Sequence, residues 1–322
     1  MGEITGIHHI TCIAGDPQEN LNFYVGLLGM RLVKKSVNQD DPKTYHLFYA
    51  DANGRPGTDL TFFPWPYGAP GKKGVGLTVE VLLAVPPESL DFWCSRLAGH
   101  GVDLGSVETR FGEKTLRFRD SHGLELALVE TSDVRPFSPW NGSPVPRDSQ
   151  IRGLHAARVW EANLGASADF LVGVMGFEGL GTENDWRRFG LSGGSGTYLD
   201  IRELPGERRG HWGTGSVHHL AWRVADEPIE RIVRERVAAA GRNPTDVIDR
   251  FWFKSVYFRE PGGVLFELAT DGPGFAVDED PDHLGESLIL PPWLEARRPE
   301  IEAALPSLQA PRLPARGFMQ GS

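Results

Sequence analysis

The sequence predicts an α+β fold built from four βαβββ units arranged as two duplicated halves. Three observations carry that prediction. The chain has 322 residues, room for two halves of roughly 150 residues each. Its 40% hydrophobic and 24% charged residues are those of an ordinary globular protein, so disordered and fibrous classes fall away. The third observation is internal repetition. GIHHI at 6–10 and LNFYVGLLGM at 21–30 recur as GLHAA at 153–157 and ADFLVGVMGF at 168–177, at one constant offset with no gap. A second pair sets TRFGEKTLRFRDSHG at 109–123 over DRFWFKSVYFREPGG at 249–263.

Each half divides again by local pattern. A β-rich segment opens unit one at 6–13, and Asp16-Pro17 then starts a helix-like stretch over 18–28 that ends at Gly29, as expected of proline just inside a helix start and glycine just past its end. Unit two repeats this with 75–85, 88–99 and Gly101. The Pro-rich connector RPFSPWNGSPVPRD at 135–148 follows. Unit three has 151–159, 163–175 and Gly176; unit four has 215–224, a helix over 227–240 opened by Glu227-Pro228, and Gly241. Shorter strand-like runs with Gly and Pro turns complete every unit. The weakest are those of 182–204, where Gly190, Gly193, Gly194 and Gly196 blur the alternation. The expected division is an N-terminal half over 1–134, a linker over 135–150, a C-terminal half over 151–272 and a tail over 273–322 that straps loosely over the core.

Composition narrows the function classes. No apolar run approaches the ~18 residues of a membrane span, and MGEITGIHHI lacks the regions of a signal peptide, so the expectation is a cytoplasmic protein with no membrane partner. Acidic residues outnumber basic ones, 43 to 33, without a dense Lys/Arg stripe, which leaves nucleic acid without support. Cys12 and Cys94 are too few for a disulfide framework and sit in apolar runs, so they read as buried thiols. His211, Trp212 and His283 lie in loop-like stretches, and DEDPDH at 278–283 lacks the glycine turn and closing Glu of a calcium loop. That acidic run reads as solvated tail.

Chemistry emerges where the halves differ. The first strand of unit one carries His8-His9 and that of unit four His218-His219, whereas unit three has His155-Ala156 and unit two Thr78-Val79. Strand alternation puts the members of each pair on opposite faces, so only one of each can point inward. His8 has a counterpart in His155, which assigns the site to the second members, His9 and His219, with His8 and His218 as supporting residues. Glu267 follows in a strand apolar on both faces, and Ala127 replaces it in unit two. A buried carboxylate needs a partner. On this alignment Val79, Ala156 and Ala127 stand where His219, His9 and Glu267 would be, a joint loss that points to one site. Two imidazoles and a carboxylate make the facial triad of non-haem Fe(II) oxygen enzymes. The alternative is two core histidines bonded to backbone carbonyls and a Glu267–Arg250 ion pair.

HHIT at 8–11, YHLFYAD at 45–51, GRPGT at 54–58, TRFG at 109–112, HH at 218–219 and Y-x-R-x-PGGV-x-FE at 257–267 resemble the vicinal oxygen chelate superfamily, and within it the hydroquinone ring-cleaving dioxygenases of the 2,6-dichlorohydroquinone 1,2-dioxygenase type. The resemblance covers nearly the whole chain. It implies cupped mixed β-sheets, a metal on His9, His219 and Glu267, and pocket residues at Thr11, His218, Arg250 and Tyr257. It also implies Fe(II), with Mn(II) admissible, and a small aromatic substrate with O2 as partners; a homo-oligomer stays open. Tyr257 is then expected as hydrogen-bond donor and acid/base, and Arg250 as a stabiliser of developing negative charge. Glyoxalase I, the nearest competitor, uses a fourth ligand, and registration of GTDLTFFPWP with the Glu267 strand puts Thr61 there, with Asp59 two residues away on the same face. A non-enzymatic small-molecule-binding relative is the third reading.

Overall fold

In the computed structural model, residues 2–192 and 196–313 are described; Gly193, Gly194 and the last residues of the tail lie outside them. Four βαβββ units are present in order. Unit one comprises β1 (Ile4–Ala14), α1 (Pro17–Leu21), β2 (Arg31–Asn38), β3 (Asp41–Ala50) and β4 (Asp59–Pro64). Unit two has β5 (Leu77–Val85), α2 (Leu90–Gly99), β6 (Leu104–Arg110), β7 (Glu113–Arg119) and β8 (Glu125–Glu130). Unit three has β9 (Leu154–Glu161), α3 (Leu164–Gly173), β10 (Glu178–Glu183), β11 (Trp186–Gly190) and β12 (Tyr198–Glu203). Unit four has β13 (Ser216–Val224), α4 (Glu227–Ala239), β14 (Ile248–Asp249), β15 (Lys254–Arg259) and β16 (Leu265–Thr270).

The helices begin where side chains can satisfy their free N–H groups. Asp16 accepts from the backbone of Gln18 and Glu19, with Pro17 in the first turn, and Asp226 accepts from Ile229. α1 continues as a π turn over Asn22–Leu27, and the chain then reverses at Gly29, whose φ of +73° suits glycine.

Among the described residues, sixteen strands form two eight-stranded curled sheets, and each sheet takes one unit from each half of the sequence. The first runs β14-β15-β16-β13-β1-β4-β3-β2, so units one and four share it; the second runs β10-β11-β12-β9-β5-β8-β7-β6, joining units two and three. The antiparallel pairs β1–β13 and β5–β9 are the seams. One apolar cluster joins the two sheets, drawing Ile10, Leu60, Phe62, Leu220, Trp222 and Phe266 from the first and Val81, Leu83, Leu126, Leu128, Val159 and Ile201 from the second, with Tyr24, Trp93 and Phe170 from the helical segments.

The tail is firmly seated. Phe275 and Leu284 are buried against Val33, Phe48 and Trp252, while Leu290, Leu294 and Ile301 cover Val37. The acidic run is solvated only in part: residues 280–283 are exposed, whereas Lys34, fully buried, donates to Phe275 O at 3.0 Å and to Asp278 at 2.7 Å, and also bonds Glu279. A buried ammonium is tolerable only with such partners, so these two acids are the price of placing Lys34 under the strap.

Candidate active site

The site forms on the inner face of the first sheet, where β15, β16, β13, β1, β4 and β3 lie side by side. Register settles which residues correspond. In β1 and β4, Thr11 is level with Thr61; in β13 and β16, Ala221 is level with Glu267. Thr61 therefore occupies the place that Glu267 holds in unit four, and Asp59, level with His9, falls outside the cluster of convergent ligand atoms. In the second sheet Leu82 is level with both Ala156 and Ala127, and Glu80 with Arg158. Ala156 and Ala127 thus stand for His9 and Glu267 as expected, but Glu80 stands for His219, one residue beyond the Val79 of the sequence alignment.

The expectation that each histidine pair straddles the sheet is also corrected. The ladder skips between Ile7 and His9, leaving His8 unpaired, and again between His219 and Val217, leaving His218 unpaired. An extra residue of this kind is a β-bulge, and it cancels alternation locally. Both rings of each pair therefore meet: His8 Nδ1 lies 2.9 Å from His9 Nδ1, and His218 Nδ1 lies 2.8 Å from His219 Nδ1.

These contacts fix where the protons sit. His8 Nε2 is 3.1 Å from the carbonyl of Thr270, an acceptor only, so Nε2 carries the hydrogen. Burial above all, and then His9, pushes the His8 pKa down to about 3, so the ring is neutral and its Nδ1 is an acceptor. His9 Nδ1 then donates, and the neutral form of that ring has its lone pair on Nε2. His218, lowered to about 3 chiefly by burial, makes the same Nδ1–Nδ1 contact with His219, and a proton on His219 Nδ1 leaves the lone pair of a neutral ring on His219 Nε2. Ser255 Oγ donates to Glu267 Oε1 at 2.5 Å.

Three lone-pair atoms now face one another. His219 Nε2 is 2.9 Å and His9 Nε2 3.3 Å from Glu267 Oε2, and the two Nε2 atoms are 3.3 Å apart. All three residues are buried, and Glu267 Oε2 receives no aligned hydrogen bond among the described residues. Ligands roughly 2.1 Å from a shared cation and at right angles stand about 3 Å apart, so the cluster fits a metal ion.

Beside the triad lies a cavity of about 280 Å³. Phe48, Phe63, Trp65, Trp252 and Phe253 give it aromatic walls; His218, Tyr257, Arg250 and His46 add polar groups. The Tyr257 ring is 5.6 Å from that of His219, and the Arg250 guanidinium sits 5.5 Å over the Tyr257 ring. Arg250 does not pair with Glu267: it forms a bidentate bond to Asp40 at 2.9 and 3.2 Å. Burial and the charge of Glu267 raise the Tyr257 phenol. Thr11, fully buried, does not line the cavity, and its hydroxyl lies 2.8 Å from Thr61 Oγ1. Trp212, read as an ordinary loop residue, stacks on His218 at 4.4 Å. Sequence reasoning passed over His46 and Ser255. The first was signalled by a polar residue alternating with Phe48 and Ala50, the second by a serine two residues before Tyr257.

The sequence matches the model of the Glyoxalase/Bleomycin resistance protein/Dioxygenase superfamily over residues 6–128 and 153–268. The chain belongs to this superfamily. Among its relatives is MhqO of Bacillus subtilis (strain 168), classed provisionally as a ring-cleaving dioxygenase, 42% identical over 93% of this chain and 95% of that one. The chlorohydroquinone/hydroquinone 1,2-dioxygenase of Sphingobium indicum is 34% identical over 92% and 95%. A crystal structure of a Bacillus subtilis protein classed provisionally as a dioxygenase superimposes with a TM-score of 0.93 at 40% identity, covering 97% of this chain and all of that one. Glyoxalase I from Zea mays shares the superfamily fold alone, with a TM-score of 0.62 at 15% identity over 83% and 92%.

Proposed function

We propose that the chain is an Fe(II)-dependent ring-cleaving dioxygenase that opens a hydroquinone-type dihydroxy aromatic ring with O2, the metal held by His9, His219 and Glu267. The observation that carries this reading is the convergence of three possible ligand atoms, His9 Nε2, His219 Nε2 and Glu267 Oε2, each within 3.3 Å of the others, beside an aromatic-walled cavity sized for one ring. The relatives named for ring cleavage and for hydroquinone support the reaction class. Thr61 supports it over isomerase chemistry, because a hydroxyl stands where a fourth carboxylate ligand would close the metal's coordination. Fe(II), when bound, supplies a redox-active path between an aromatic oxygen and O2 that a redox-silent ion cannot. Two unpaired cysteines, one of them buried, suit a reducing cytoplasmic setting.

The remaining roles fall to the chain. His8 and His218 orient the ligand rings through their Nδ1 contacts. Tyr257, kept protonated, is a hydrogen-bond donor and acid at the flank of the ligand cluster. Arg250, anchored by Asp40, supplies fixed positive charge for negative charge developing on oxygen. Thr11 holds the hydroxyl chain beneath the floor, and the aromatic walls exclude water.

The test is anaerobic loading with Fe(II) followed by oxygen uptake with hydroquinone, chlorohydroquinone, methylhydroquinone and catechol. About one O2 consumed per ring opened is expected. Silence with every ring, together with isomerisation of a glutathione hemithioacetal by the zinc- or nickel-loaded protein, would replace this reading with the glyoxalase one.

A further inference from the structure

Of the polar groups that line the cavity, His46 has no part in the roles above. We propose that His46 is the substrate-recognition residue of the cavity, its Nδ1 taking the ring hydroxyl that lies away from the ligand cluster. The proposal rests on the dihydroxy-ring reading and names the isomer it prefers.

The argument is one of placement. Strand order puts β15, with Tyr257 and the neighbouring Arg250, on one side of the floor formed by β16, β13 and β1, and puts β3, with His46, on the other side beyond β4. A ring standing on the ligand cluster therefore has Tyr257 on one flank and His46 on the opposite one. His46 is held rigidly. Its Nε2 is 2.9 Å from Thr61 Oγ1, which lies 2.8 Å from Thr11 Oγ1, and its ring packs 3.8 Å from that of Phe48 and 4.4 Å from that of Phe63. Its Nδ1 has no hydrogen-bond partner among the described residues, although the side chain lines the cavity.

A polar nitrogen in an aromatic-walled site calls for a partner. Burial, reinforced by His9, His219 and Arg250, holds the His46 pKa well below its ordinary value, so at neutral pH the ring carries one N–H and one lone pair. With Nε2 committed to Thr61, the other nitrogen offers a single complementary function. A hydroxyl can meet it whichever way the Thr61 bond points. Other polar groups of the rim meet one another: Asp40 binds Arg250, Gln39 donates to Arg250 O at 2.9 Å, Asn38 Oδ1 accepts from Asp40 N–H at 3.0 Å, and His218 Nδ1 meets His219. Adjacent hydroxyls, as in catechol, would both fall at the floor. A hydroxyl across the ring reaches the His46 side, so this wall selects a para-dihydroxy ring.

The test is binding without turnover: anaerobic quenching of tryptophan fluorescence, since Trp65 and Trp252 line the cavity, in the Fe(II)-loaded protein with hydroquinone, catechol and phenol. Wild type should bind hydroquinone about tenfold more tightly than phenol, the worth of one hydrogen bond to a buried partner. His46→Phe should erase that preference while leaving phenol affinity within about twofold, and His46→Gln should restore part of it. Thr61→Val, which frees Nε2, should weaken hydroquinone and not phenol. Equal losses for both ligands in His46→Phe and His46→Gln, or an undiminished preference in both, would overturn the assignment, as would a wild type that does not distinguish hydroquinone from phenol. Oxygen uptake separates the two layers. Wild-type turnover of hydroquinone with an unchanged preference in the His46 variants removes only the role of His46, whereas absent turnover with an intact, His46-dependent preference removes only the reaction.

Discussion

The two sheets are copies of one scaffold, yet their inner faces are finished in opposite ways. In the second sheet Glu80 meets Arg110 at 2.7 Å, Asp200 meets Arg188 at 2.7 Å and Arg158 at 3.2 Å, and Glu113 meets Arg188 at 3.1 Å and His155 at 2.9 Å. Each of these three carboxylates has a guanidinium. In the first sheet Glu267 faces two imidazoles whose protons are committed behind them and a serine hydroxyl, so one negative charge is left without a cation. The second concavity is the larger, at about 630 Å³, but size is not function: a closed set of ion pairs presents no unfilled coordination. A duplicated fold supports a reaction in the copy whose polar groups are left unsatisfied by one another.

The sharpest break of that contrast is Glu267→Ala. It removes the only anionic ligand, so metal content after anaerobic Fe(II) loading should fall from about one equivalent to near zero, with activity down by at least ~10³-fold. Elemental analysis of the desalted protein reads this directly. Full stoichiometry in the variant would move the site elsewhere.

The mirror experiment is Glu80→Ala. It removes the shared partner of Arg110 and Arg158 but leaves Arg110 paired with Glu108 and Arg158 with Asp200, so urea unfolding should shift by less than the roughly 3–5 kcal/mol of a wholly unpaired buried charge. Metal loading should stay at one equivalent, because the second sheet contributes none. A loss of metal from the folded variant would mean that the two faces are not independent.

A finer test changes only a support. Ser255→Ala removes the hydrogen bond to Glu267 Oε1 and leaves all three ligand atoms in place. Metal affinity should drop about 10-fold or somewhat more, as for other groups that orient a ligand, with wild-type stoichiometry at saturating Fe(II). Competition with a chelator of known affinity measures it; unchanged affinity would make Ser255 a packing residue.

Much of this contrast was legible in the residues. The repeat, the helix starts at Asp16-Pro17 and Glu227-Pro228 and the joint absence of ligands at Ala156 and Ala127 are all local or comparative patterns. What stayed hidden was created by single-residue irregularities and distant partners. The bulges at His8 and His218 turn an alternation argument around, yet an inserted residue leaves no trace in hydropathy. The same kind of shift moved the match for His219 from Val79 to Glu80. Lys34 and the first two residues of the acidic run, Asp278 and Glu279, are far apart in sequence, so nothing local revealed that they neutralise one another. His46 stood in a quoted motif, but its importance depends on Thr61 and Thr11 arriving beside it from other strands.

The last prediction concerns the joint between the sheets and leaves the metal site alone. Glu161, at the end of β9, and Glu260, in the turn between β15 and β16, bring two buried carboxyls from different sheets together. Glu260 accepts from Ser167 Oγ and from the backbone N–H groups of Gly262 and Val264, each at 2.8 Å, which stabilises its charge. Glu161 Oε2 has no partner among the described residues, so Glu161 keeps the proton, its pKa pushed up to about 9 by burial first and the neighbouring Glu260 second. The unfolded chain releases that proton near pH 4.5, whereas the native state holds it until about 9. Between those values the unfolded state binds fewer protons, so stability falls as pH rises and levels off above about 9. Glu161→Gln, which keeps the neutral shape and a donor, should flatten that part of the profile and leave metal stoichiometry unchanged. Urea midpoints at pH 6, 7.5 and 9 compare the two proteins; parallel slopes would show that this carboxyl ionises no differently in the native and unfolded chains.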